Sequence, residues 1–198
     1  MDRLAVAEDL FILGFTPSGA ARRPQTILEA GLAAAVLGEL RLHRRIKSDK
    51  YGMVGVRDAT PTGDGPRDRV LAVMATYEPA ALRQWLHKFG PYVIATTAWH
   101  LRSRDVCQLL DDGSVHWIGG ADINQGLTQA TRRALVTARP RPAGDERTAL
   151  LGSLLWATDL TDAVLGRSFR ARRRLDTAAK KDWLAQGVRQ ATGHLHPS

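Results

Sequence analysis

Two groups of side chains in this chain of 198 residues have the types and spacing to hold a phosphate. The first lies on a helix read from about Thr97 to Leu110, where Trp99 and Arg102 are three residues apart and share a face, flanked by His100 and Arg104. A guanidinium offers fork-shaped donors that match phosphate oxygens, and an indole suits the boundary between membrane and water. Arg22 or Arg23, in a loop after the first helix, is expected to complete the ring of donors. The second group is the run Arg167, Arg170, Arg172, Arg173, Arg174, Lys180 and Lys181, broken only by Asp176. Near an anionic bilayer each such cation contributes about 1 kcal/mol, so half of them facing a membrane would outweigh a single surface ion pair. The plainer alternatives are a Trp99 packed into the core and a solvated basic helix.

The remaining reactive residues point away from catalysis, metals and cofactors. Cys107, beside Val106 and Leu109, reads as a small core residue, and only His100 and His116 are near enough in sequence to activate it. No Gly-x-Ser-x-Gly is present, so no enzyme is expected. His194 and His196 form a lone His-x-His without further donors, and no metal is expected there. Thr60-Pro61-Thr62-Gly63-Asp64 lacks the pattern of a phosphate-cradling loop and reads as a turn leading into a helix cap.

Composition sets the frame. With 44% hydrophobic and 24% charged residues the chain can bury one core, and residues 1–198 read as a single domain. A net charge of +8 calls for an anionic partner, lipid head group or nucleic acid. All but five of the 28 basic residues are Arg, which with abundant Ala and Gly reflects base composition as readily as phosphate binding. Glu8 and Asp9 interrupt what would be a signal peptide, and no run approaches the roughly 20 apolar residues of a membrane span. A cytoplasmic, peripherally membrane-associated protein is the expectation.

The elements that must position these groups are mostly helices. Val6 to Leu13 is short and apolar, whereas 26–43 and 149–165 are apolar on nearly every side and are expected to pack together as the centre. Val70 to Tyr77, Leu82 to Phe89, 124–138, 167–179 and 182–191 read as further helices, Met53 to Val56 as a strand, and Ser114 to Ile118 before Gly119-Gly120 as a small hairpin. The fold class is therefore mainly α, a single-domain helical bundle around buried central helices with a small β-hairpin.

The chain also resembles the Golgi phosphoprotein 3 family over almost its whole length. The likeness rests on Ala7-Glu8-Asp9-Leu10-Phe11-Ile12-Leu13-Gly14, on Gly31 through Leu40 followed by Leu42 and Arg45-Ile46, and on Thr60-Pro61-Thr62-Gly63-Asp64. Asp145, Arg147 and Asp182-Trp183 add to it. The resemblance implies a helical fold around a buried central helix, a protruding β-hairpin, and a basic pocket that in eukaryotic members binds phosphatidylinositol 4-phosphate. That pocket is built in the family from a Trp and an Arg at the start of the helix here spanning 26–43 and an Arg pair on the helix here spanning 97–110. The corresponding positions are Pro24, Ala33, Trp99 and Arg102, of which only Arg102 keeps the family's residue type. The partners implied are an anionic, phosphoinositide-like membrane surface, a second copy through the hairpin, and a protein cargo. An adaptor domain without lipid specificity is the alternative. Nucleic acid is the less favoured reading: helix 97–110 followed by Trp117 imitates a recognition helix and wing, without the preceding helix-turn-helix spacing.

Overall fold

The computed structural model describes residues 5–137, 146–166 and 168–193. It is mainly α with two small antiparallel sheets. Arg167, the break 140–144 with Asp145, and the pair His194 and His196 lie outside the described residues.

Helix α2 (Gln25–Leu42) is the axis of the molecule, with Ala33, Ala34, Ala35, Leu37 and Leu40 fully buried. Its small residues let neighbours come close. A methyl at Gly38 would stand 2.6 Å from Leu150 of α6 (Glu146–Ala157), and one at Gly31 would stand 2.5 Å from the Thr158 methyl. The expected pairing of the two apolar helices is therefore present. Its second member is shorter than 149–165, because the chain turns at Thr158–Leu160 before a separate short helix α7 (Thr161–Leu165). The turn takes Asp159 into the left-handed region, φ 54°.

Around this axis α1 (Val6–Leu13) is wholly buried, and α3 (Gly65–Met74) begins where the 60–64 turn ends. Asp64 caps α3 by accepting from the Arg67 N–H at 3.0 Å, while Asp68 holds the Thr62 N–H and hydroxyl at 2.6 and 2.7 Å. The segment is a turn and cap, as its composition predicts.

Two expectations are corrected. The segments read as separate helices at 82–89 and 97–110 are one helix, α4 (Leu82–Ser103), which tolerates Pro91 on its exposed side. It stops at Ser103, and Cys107–Leu109 is a strand that pairs with Val115–Trp117 around the turn at Asp111-Asp112-Gly113. The hairpin's first strand thus lies before Ser114, in residues read as the end of the helix. Its apolar side is buried, with the Trp117 indole donating to the Thr16 carbonyl at 3.0 Å. A second sheet joins Ile46–Ser48, Met53–Val56 and Ala80–Ala81.

The remaining helices are α5 (Asp122–Thr137), α8 (Phe169–Ala179) and α9 (Trp183–Ala191). Each presents a narrow apolar stripe inward. In α8 that stripe is Ala171, Leu175 and Ala179, spaced by four, which leaves the intervening arginines at the surface.

Candidate functional site

Because α8 buries only small and single apolar residues, its outward side carries Phe169, Arg172, Arg173, Asp176 and Lys180 along one flank of a groove of about 940 Å³. The other walls come from the end of α6, the turn around Asp159, and α9. Phe169 and Arg173 are one helical turn apart, and Phe169 is 73% exposed.

Side-chain contacts tie the floor of the groove together. Trp156 donates from its indole to Asp176 at 2.9 Å, and the Arg189 guanidinium stacks over the Trp156 ring at 4.4 Å. Arg23 arrives from the loop between α1 and α2 and donates to the Asp159 carbonyl at 2.5 Å, so the left-handed turn serves as its anchor. The Arg23 Nε is buried without a hydrogen-bond partner.

Five cations, Arg23, Arg172, Arg173, Lys180 and Arg189, face three carboxylates, Asp159, Asp162 and Asp176. Lys180 sits 2.9 Å from Asp176; its hydrogen bond, with that of the Trp156 indole, holds the Asp176 carboxyl below its usual range despite partial burial. Arg172 and Asp162 meet at 2.8 Å, but both are largely exposed and the pair is readily exchanged for another anion. Arg173 makes no ion pair among the described residues. The groove therefore has an excess of positive charge, an unpaired guanidinium, and an apolar side chain standing clear of the surface beside it.

The sequence-derived candidates separate into two places. Arg23, Arg172 and Arg173 come together in the groove. Arg174 is exposed on α8 but does not line it. Arg22 turns back on its own loop, donating to the Phe15 carbonyl at 2.9 Å, and partial burial lowers its pKa. Trp99 and Arg102 share an exposed face of α4, as their spacing predicts, and Trp99 is 64% exposed with its ring edge against His100. The alternative of a packed Trp99 does not hold, and no hydrogen bond or ion pair among the described residues links that face to Arg22 or Arg23. The flanking residue Arg104 is committed to Glu8 at 3.3 Å.

Sequence reasoning did not anticipate Trp156, Asp159, Phe169 and Arg189 as partners of the arginines. Phe169 carried a usable signal, a large apolar residue opening a basic helix. Cys107 is fully buried, and burial pushes its thiol up to about 12, which keeps it protonated at neutral pH.

Among the described residues no helix is long and apolar enough to cross a membrane. No curated protein matches the chain. The family model of Golgi phosphoprotein 3 matches residues 6–195, nearly the entire chain, and the protein belongs to that family.

Proposed function

We propose that this member of the Golgi phosphoprotein 3 family is a peripheral membrane-binding module that recognises anionic phospholipid head groups through the groove beside α8. The observation that carries the reading is the pairing of Phe169 with Arg173 on one turn of α8: an exposed ring able to enter the interfacial layer beside a guanidinium with no ion-pair partner among the described residues. A phosphate in the groove would meet Arg173 directly, displace the exposed Asp162 from Arg172, and reach the spare Nε donor of Arg23. The head group is phosphoinositide-like on this account, because several convergent guanidiniums favour a phosphate of higher charge than a diester. The role is binding rather than catalysis.

Co-sedimentation with vesicles of phosphatidylcholine alone, or doped with phosphatidylserine or phosphatidylinositol 4-phosphate, tests this beside a DNA gel shift at matched salt. Retention on both anionic vesicles, strongest with the phosphoinositide and falling steeply with salt, is expected. A DNA shift without vesicle retention would transfer the groove to nucleic acid, and retention by neither would favour an adaptor role.

A further inference from the structure

A second cavity, of about 440 Å³, lies where the start of α1, the end of α2, the start of α3 and the end of α4 converge. That volume is within the range of sites for small ligands. Among the described residues its charged lining consists of Glu8, Glu39, Asp64, Arg67, Arg104 and Arg147, three of each sign. His43 and His100 stand among them. Burial, followed by the nearby Arg67 and Arg45, lowers the pKa of His43.

Most of these groups are spent on the fold. The Glu8 carboxylate accepts from the Ala5 N–H at 2.7 Å and pairs with Arg104. Asp64 caps α3 and lies 3.2 Å from Arg67, and Arg147 reaches Asp9 at 2.6 Å. Glu39 is different. It is 5% exposed, and one carboxylate oxygen accepts from the Val6 N–H at 3.0 Å and lies 3.6 Å from Arg67. The other oxygen is buried with no hydrogen bond, and the adjacent Arg67 likewise keeps its Nε buried and unused. An acceptor and a donor on two neighbouring side chains are thus buried and unsatisfied, and such groups are costly unless something satisfies them.

We infer that this cavity is a binding site for a small zwitterion, whose primary ammonium donates to the free oxygen of Glu39 and whose phosphate or carboxylate accepts from Arg67. The presence of both signs in the lining is the reason for choosing a ligand that carries both: an anion alone would leave Glu39 open, and a cation alone would leave Arg67 open. The site is separate from the groove beside α8 and shares no lining residue with it. Its ligand could be a free metabolite or the head group of an aminophospholipid, two sources with one chemistry.

Calorimetric titration of the full chain with phosphoethanolamine, phosphocholine, inorganic phosphate and ethanolamine tests the inference without any membrane. Phosphoethanolamine is expected to bind about tenfold or more tightly than each of the others, because phosphocholine has no N–H for Glu39 and the remaining two satisfy only one end. Glu39→Gln keeps an oxygen for the Val6 N–H and should weaken phosphoethanolamine about tenfold with little loss of melting temperature. Should that variant fail to fold, the ranking of the four probes on the unaltered chain still decides. Equal binding of phosphate and phosphoethanolamine, or binding of none, overturns the inference. If phosphoethanolamine ranks first, competition between it and phosphatidylethanolamine-containing vesicles then distinguishes a lipid source from a free one.

Discussion

The groove beside α8 and the cavity at the end of α2 use nearly the same chemical groups to opposite ends. In the groove the ion pairs are exposed, the charge is unbalanced toward the positive, and a phenyl ring stands in solvent. In the cavity the pairs are largely buried, both signs are present in equal number among the described residues, and the carboxylates also cap helix starts. Exposed pairs contribute little to stability and exchange partners cheaply, whereas buried ones are costly to break. The first arrangement suits a surface that exchanges one anion for another, and the second suits a site whose charged groups also hold the fold together.

Both regions hang on the packing of α2 against α6, so breaking that contact should remove the distinction altogether. Leu154→Asp or Leu37→Asp, each placing a carboxylate where the native side chain is fully buried, should cost several kcal/mol, about 3 or more. Chemical denaturation reads this, and unchanged midpoints would refute the central packing.

Next in size is the contrast between the two sets of carboxylates. Glu39→Ala strips α1 of a cap and leaves Arg67 short of a partner, an expected loss of about 2–3 kcal/mol. Asp162→Ala breaks the exposed pair with Arg172 and should cost less than about 1 kcal/mol. Similar losses in both variants would erase the difference between the regions.

The pH dependence of stability should have opposite signs in the two places. Burial raises the Glu39 pKa, so the folded state holds its proton above the range in which the unfolded chain releases it. Stability from this group is greatest below the ordinary carboxylate value and declines as pH rises through that window. Asp176, its pKa lowered first by the Lys180 hydrogen bond, contributes stability present above the ordinary value and lost as pH falls toward the folded value. Unfolding curves of Glu39→Gln and Asp176→Asn across acid pH should therefore diverge from the unaltered chain in opposite directions, and parallel shifts would contradict both assignments.

How much of this was legible in the sequence differs by element. Helices α1, α2 and α9 and the 60–64 cap follow from apolar spacing and from Asp at cap positions, local signals that tertiary structure had no cause to override. The end of α4 was misplaced because Val106, Cys107 and Leu109 fit a helical stripe as well as a strand, and only pairing with Val115–Trp117 decides between them. At the site, the arginines of α8 were visible as a run, and Trp99 and Arg102 as a spacing. That Arg23 joins α8 rather than α4 depends on Asp159, 136 residues away, whose carbonyl is freed by a left-handed turn. Such a contact leaves no periodic trace.

The smallest effect sharpens the surface side of the comparison. Phe169→Ala should reduce vesicle retention a few-fold while leaving the melting temperature nearly unchanged, since the ring is mostly in solvent already. A large drop in melting temperature would mean that the ring is a packing element and not an anchor.

The most direct test of the central claim sets the two basic faces against each other on vesicles containing phosphatidylinositol 4-phosphate. The double variant Arg172→Ala with Arg173→Ala should lose about tenfold or more in affinity, from two charge-assisted contacts, while Arg102→Ala on α4 retains most of its binding. Loss of binding in Arg102→Ala, with the double variant unaffected, would contradict the account and place head-group recognition on the face carrying Trp99.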